Sequence, residues 1–383
     1  MQIPRVARQC IVGLCDSMAG LGVDTEIVSI RYRLSGHEPK HPDYNNLYSI
    51  KNNIKFTEFL IIPSVLIRFK YYLSFARLML YICFILRESY SGKFRKNNCN
   101  IVTARNYSVL RALCLLKSTF KLNYFVIADL HSLATNSFQN NTLQKCDGLF
   151  CITKHLAEET NRKINFGFRH ISYGHTGSDV SNDTETNTSI MSDFEIPQNK
   201  KIIVYTGKVY YRYKEIDYLA ELASLMPEEV FVIVVGGRPD HVKLWKDEVI
   251  SRKITNIAFV SFVLPKLVSN FLSLADILIL YYSPNPINEY RSPAKLFQYL
   301  RSGKPIIAGN HKGISEIIVD GFNGFLVEPY DVNKLAEKIK VIIKLPSLIH
   351  ISQNALNTSE KYTFKHRAEA LLELSKRIYF GQE

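Results

Sequence analysis

Ser292, Pro293 and Lys295 stand at the mouth of an apolar-periodic segment, Leu296 to Leu300, inside the stretch 289–331. A serine just before a helix makes a good N-cap, and a proline at the first helical position loses nothing by lacking an N–H. The spacing therefore predicts a helix capped by Ser292 and opened by Pro293. A helix start presents unpaired backbone N–H groups and the positive end of the macrodipole, so it draws anions. Lys295, one turn in, adds a full charge within reach of the same anion. A hydroxyl, free amides and an ammonium in one turn suit a diphosphate. An ordinary capped helix with a solvated lysine is the competing reading. Other basic candidates lie upstream: Lys208 follows Tyr205-Thr206-Gly207, with Arg212 and Lys214 just beyond.

The elements that must position these residues are legible as βα alternation. At 383 residues the chain has room for about two domains. Hydrophobic content of 46% with 22% charged residues is that of a globular protein, not a disordered one. In the second half, Ile202–Tyr205, Val230–Val235, Ile257–Val260, Ile277–Leu280, Ile306–Ala308 and Gly324–Val327 read as strands. In the first half, Val23–Ile30, Asn100–Ala104, Tyr124–Ala128 and Gly148–Thr153 read as strands, with helices over Val6–Gly20 and Val109–Leu116 and from Lys154. Short apolar strands alternating with amphipathic helices predict parallel sheets with helices on both faces. Residues 180–198, rich in Ser, Asn, Asp and Thr, read as the linker. The expected architecture is α/β, two doubly wound Rossmann-like domains facing across a cleft: 1–180, the linker 181–198, 199–361, and a last helix, 362–383, returning to the first domain. Ligands then bind beyond the carboxyl ends of the strands. Lys208, Ser292 and Lys295 all follow predicted strand ends.

A longer set of motifs carries a family resemblance. S-P-x-K-L-F-x-Y-L-x-S-G-K-P-I-I-A from Ser292, then G-I-S-E-I-I-x-D-G-x-N-G-F-L-V from Gly313, resembles glycosyltransferase family 4. Ala275-Asp276 before Ile277–Leu280, Val235-Gly236-Gly237, and Tyr205-Thr206-Gly207-Lys208 with Lys214 resemble further elements of that family. The resemblance is dense over residues 200–345 and thinner before them. It implies the GT-B fold and transfer of a sugar, with retention, from a nucleotide-sugar donor to a glycan or lipid-linked acceptor, as in cell-surface polysaccharide synthesis. It implies no metal and no other cofactor, because fixed cations stabilise the leaving diphosphate. On this resemblance Lys208, Lys214 and His131 are the catalytic candidates. Gly207, Arg212, Ser292, Pro293, Lys295, Gln298 and Glu289 are the donor-binding candidates. His131, closing the Asp129-Leu130-His131 turn, is expected to face the donor sugar; a structural histidine is the alternative. Gly177 and Asp179 resemble the hinge before the linker.

The chain departs from the family at three places. The two glutamates usual eight positions apart align with Tyr290 and Gln298, and Glu289 is one place off. Glutamine accepts a ribose hydrogen bond without the charge-assisted strength of a carboxylate. Lysine at 208 stands where arginine is more frequent and offers a point charge instead of a planar fork. The opening strand and its glycine-rich loop have no counterpart before Val6, which suggests an upstream start or an incomplete acceptor site. A degenerate nucleotide-sugar-binding partner of an active transferase and a nucleotide-sugar epimerase are the alternatives.

The formal net charge is +13, and residues 50–125 hold 13 Lys or Arg against Glu58 and Glu88. Interleaved Tyr, Phe and Leu favour attraction to an anionic membrane surface. A solvated basic face stays open, and the lack of any nucleic-acid module argues against nucleic acid. The longest apolar run, Leu78–Leu86, is half of the roughly 18 residues that suggest a membrane span. Seven cysteines without a C-x-x-C pair read as free, mostly buried thiols in a reducing compartment. The expected location is the cytoplasm, peripheral on the inner face of the cytoplasmic membrane.

Overall fold

The structure, a computed structural model, describes residues 6–32, 50–61, 70–92, 99–167, 170–178, 194, 196–197, 199–212, 214–263, 265–282, 285–329 and 331–381. The chain divides into two units, Met1–Gly177 with Phe364–Glu383, and Ser178–Thr363. Asp179 and most of the expected linker lie outside the described residues.

The first unit runs α1 (Val6–Gly20), β1 (Glu26–Tyr32), β2 (Lys55–Ile61), α2 (Lys70–Tyr90), β3 (Ile101–Ala104), α3 (Tyr107–Phe120), β4 (Phe125–Leu130), α4 (Ser137–Leu143), β5 (Gly148–Cys151), α5 (Lys154–Ile164) and β6 (Ile171–Tyr173). Every strand pairing in it is parallel, but the strands form two sheets, β1-β2 and β3-β4-β5-β6. β2, α2, α4 and β6 are new relative to the sequence reading: the Phe/Tyr/Lys-rich stretch that holds β2 and α2 shows no clean period, and α4 and β6 are short, seven and three residues. β4 runs on through Asp129 and Leu130, so these two residues belong to the strand and not to the turn after it. All of β4 and β5 is buried, as strands covered on both faces must be.

The C-terminal helix, Phe364–Phe380, belongs to this unit and packs on α1, β5 and β6. Leu371, Leu374 and Ile378 join Phe125, Ile127 and Phe150 in one apolar core. A Cβ at Gly13 would lie 2.4 Å from the Phe364 ring, so glycine there lets α1 and the C-terminal helix meet. All seven cysteines are free. Cys114, Cys146 and Cys151 are buried, but Cys83 and Cys99 are exposed, Cys83 because it falls on the outer side of α2.

The second unit holds β7 (Lys201–Thr206), α6 (Lys214–Leu225), β8 (Val230–Val235), α7 (Pro239–Ser251), β9 (Ile257–Val260), α8 (Pro265–Leu274), β10 (Ile277–Leu280), α9 (Ala294–Arg301), β11 (Ile306–Gly309), α10 (Lys312–Ser315), β12 (Phe325–Val327), α11 (Val332–Ile342) and α12 (Ile349–Ser359). Its six strands form one parallel sheet in the order β12-β11-β10-β7-β8-β9. Two apolar cores lie on its faces, one including Trp245, Leu219 and Leu335, the other Phe271, Phe297 and Tyr299. Chain order reverses between β7 and β10, which makes their carboxyl ends the switch point where doubly wound sheets bind ligands.

Tyr299 fixes one side of that point. Its hydroxyl, fully buried, accepts a hydrogen bond from the Thr206 backbone N–H at 2.8 Å and lies 3.2 Å from Thr206 Oγ1. The last residue of β7 is thereby tied to α9. Tyr299→Phe leaves that buried N–H without its acceptor, and is expected to cost about 1–3 kcal/mol, read as a lower denaturant midpoint.

Candidate functional site

Three strand ends and one helix start build the site. After β7 the chain turns at Gly207 with φ +154, a value few side chains tolerate. Gly236, after β8, has φ +110, and a Cβ on it would lie 2.3 Å from the Gly207 carbonyl oxygen. The two glycines let the β7 and β8 turns pass backbone against backbone. A Cβ on Gly207 itself would lie 2.6 Å from Lys295 Nζ. Tyr281 and Tyr282 follow β10 and are buried.

Lys295 occupies the space between these ends. Its Nζ lies 3.9 Å from the centre of the Tyr205 ring and 5.8 Å from that of Tyr282. Arg291 lies over the same Tyr282 ring at 4.8 Å. Lys295 forms no ion pair with any described residue. Burial pushes its ammonium down to about 7, the buried carboxylate of Glu215 pulls the other way, and Arg291 and Lys208 add to the depression. The tyrosine faces hold the cation by their quadrupoles, a weaker partner than a carboxylate. A desolvated lysine crowded by two other cations gains from any anion brought beside it.

The helix start differs by one residue from the sequence expectation. Pro293 is itself the N-cap, with ψ 129, and the first helical residue is Ala294. Pro293 offers no capping hydrogen bond, and Ser292 is buried one place outside the helix. The proline's fixed φ serves the chain's entry into the helix, and Lys295 still lies in the first turn. Gln298, one turn after Lys295 on α9, is half-buried.

The other candidates are placed as follows. Lys208 is exposed and within electrostatic reach of Lys295. Arg212, with φ +59, stacks over Tyr211 at 5.7 Å and is within electrostatic reach of Glu248. Lys214 is the exposed first residue of α6. Glu289 is committed elsewhere: one carboxylate oxygen lies 2.8 Å from His311 Nδ1, and the other accepts the Lys312 N–H at 3.0 Å. His131 lies in the first unit, 3.4 Å from Asp129 Oδ2 through Nε2.

Around Asp129 the structure shows a charge cluster the sequence reading missed. Arg367 of the C-terminal helix reaches Asp129 Oδ1 at 2.8 Å, and Arg105 Nε reaches Oδ2 at 2.6 Å. Burial pushes the Asp129 carboxyl up, but Arg367, the His131 hydrogen bond and Arg105 outweigh it and hold the group well below the usual range. Burial pushes His131 down more than Asp129 pulls it up, so the ring is neutral at neutral pH. Arg367 stands 238 positions from Asp129, and no local pattern links them. The signal was a lone arginine on the apolar face of the last helix. No group of three or more potential metal-ligating side chains occurs among the described residues.

Comparison with known proteins bears on this geometry. Residues 187–361, nearly all of the second unit, match the family model described as glycosyl transferases group 1. A putative teichuronic acid biosynthesis glycosyltransferase of Bacillus subtilis is 23% identical over 196 residues, 50% of this chain and 47% of that protein. The chain spans between 47% and 63% of the lengths of the curated relatives it matches. Among solved structures, a glycosyltransferase from Rickettsia africae superposes with a TM-score of 0.72 at 18% identity, over 98% of this chain and 95% of that one. Anabaena HepE in complex with UDP-glucose superposes with a TM-score of 0.70 at 13% identity, over 100% and 97%. The fold is GT-B, α/β with two Rossmann-like units.

The state of Lys295 has a measurable consequence. The free protein holds it half-charged near pH 7, and a diphosphate selects the charged form. UDP, used as a diphosphate probe, is therefore expected to bind roughly tenfold more weakly at pH 8.5 than at pH 7.0, with proton uptake seen by calorimetry in buffers of different ionisation enthalpy. A flat affinity over that window contradicts the assignment.

Proposed function

We propose that this chain is a glycosyltransferase that moves a sugar, with retention, from a nucleotide-sugar donor to a glycan or lipid-linked acceptor in cell-surface polysaccharide synthesis. The observation that carries the reading is the Lys295 ammonium, held on tyrosine faces at the switch point of a unit that matches the glycosyl transferases group 1 family model. As the glycosidic bond to the donor phosphate breaks, negative charge grows on the departing diphosphate. Cations fixed in a dry site stabilise that charge more in the transition state than in the ground state. In this reading Lys295 and Lys208 take the diphosphate, and the Gly207 turn brings backbone close to it. His131 meets the sugar, and Gln298 takes one ribose hydroxyl. Lys214 or Arg212 adds charge at the rim. The neutral imidazole of His131 suits a hydrogen bond to a hydroxyl. HepE is solved with UDP and with UDP-glucose, which makes UDP the first base to try. No metal takes part, because the lysines supply its electrostatic role.

The reading places the enzyme in the cytoplasm against an anionic membrane face. Supporting this, Leu115 and Phe120 on α3 are exposed beside Lys117 and Lys121, and Tyr90 ends α2 fully out. No helix among the described residues is long and apolar enough to cross a membrane.

One observation favours a second reading, a nucleotide-sugar-binding partner without turnover. Gln298 replaces the usual carboxylate, and Glu289 is taken up by His311 and Lys312. A donor screen decides between the two. Release of nucleoside diphosphate from a nucleotide sugar in the presence of a membrane glycan extract is expected, and Lys295→Ala is expected to slow it by roughly 10²–10³. A chelator is expected to leave the rate unchanged. Binding of UDP without release from any donor supports the second reading, and full activity in Lys295→Ala contradicts both that second reading and the role given to Lys295.

A further inference from the structure

At the carboxyl edge of the four-stranded sheet, two guanidinium groups and one imidazole share a single carboxylate. Asp129 gives Oδ1 to Arg367 and Oδ2 to both Arg105 and His131. Arg367 is fully engaged. Its side chain is 3% exposed, it also donates to the Gly174 carbonyl, and its guanidinium lies over the Phe150 ring at 4.7 Å. One buried arginine already neutralises Asp129, so a second is not needed for that purpose.

Arg105 is different. It uses Nε alone, its side chain is 29% exposed, and its two terminal nitrogens bond to none of the described residues. Among the described residues, the remaining groups near the cluster bring no negative charge. Burial pushes the Cys10 thiol up to about 11 and Cys15 up to about 12, and Cys151 is raised for the same reason. The cluster therefore keeps one net positive charge, and it sits on an open fork.

We propose that Arg105 binds an oxyanion of the acceptor, a phosphate or a carboxylate, beside His131. The planar fork matches either group bidentately. Arg105 and His131 meet the same Asp129 oxygen, so they are neighbours, and their side chains are 29% and 35% exposed. With Nε2 turned to Asp129, the neutral His131 ring keeps Nδ1 to accept a hydroxyl proton. A uronic acid or a phosphorylated polyol carries such an oxyanion, and Nδ1 of His131 stays available to the donor sugar. Both residues follow strand ends, β3 and β4, on the side where parallel sheets take ligands. The word acceptor rests on the glycosyltransferase reading; oxyanion binding at Arg105 does not.

The test is a thermal shift on the full chain, with UDP present to fill the Lys295 site. Inorganic phosphate and glucuronate are titrated, with glucose as the uncharged control. Phosphate, glucuronate or both raise the melting temperature, and glucose does not. Arg105→Gln abolishes that rise and keeps the shift caused by UDP. Arg105→Lys keeps the charge, loses the fork, and weakens the apparent affinity about tenfold. If Arg105→Gln fails to fold, the lysine variant carries the same comparison. A response to one anion alone assigns the group as phosphate or carboxylate. Equal shifts in wild type and Arg105→Gln, a glucose shift as large as the glucuronate one, or no response to either anion overturns the proposal. If UDP itself gives no shift, the nucleotide-sugar reading fails, and the Arg105 comparison run without UDP still decides oxyanion binding.

Discussion

Lys295 holds its charge on aromatic faces instead of on a carboxylate, and the second unit is arranged around that fact. A buried ammonium is costly to desolvate, and two tyrosine rings repay only part of the cost. A bound anion would make up that deficit. Each neighbouring feature keeps it in place. Tyr205 is the last residue but one of β7, Tyr282 follows β10, and these strands are adjacent because the sheet reverses its order there. Tyr299, one turn beyond Lys295, ties α9 to the end of β7 through Thr206. Gly207 is held to glycine by its φ of +154, and Gly236 because a side chain there would strike the facing backbone.

The first unit solves a related problem with opposite means. Its buried carboxylate, Asp129, is paired on both oxygens, so it stays ionised despite its burial. The pairing draws in the C-terminal helix, which adds a side chain to the strand ends as well as covering β5 and β6. A helix from the far end of the sequence thus orders the surroundings of His131. Removing either partner of the Asp129–Arg367 pair would leave a buried charge uncompensated, which is far more damaging than never having built the pair.

Much of the second unit was readable from its sequence. Six short β-branched strands, each closed by a glycine, a proline or a polar turn, gave the sheet to within a residue or two, because strands buried on both faces must be apolar throughout. Lys295 was legible because a proline and a lysine open a clearly periodic helix. The helix cap was misplaced, since Ser292 and Pro293 both suit more than one position and only ψ at Pro293 decides. The tyrosine faces were not legible, because Tyr205 and Tyr282 are separated by strand pairing that local pattern does not encode. In the first unit β2 and α2 were missed where basic and aromatic residues blur the period. Arg367 was missed because its partner is a long-range one, and burial of an arginine is rare enough to be unexpected.

The most direct measurement is a crystal structure of the full chain with UDP bound. The account predicts that a β-phosphate oxygen lies within hydrogen-bond distance of Lys295 Nζ, beside the Gly207 turn. A nucleotide seated elsewhere, with Lys295 still resting on the Tyr205 ring, would contradict it.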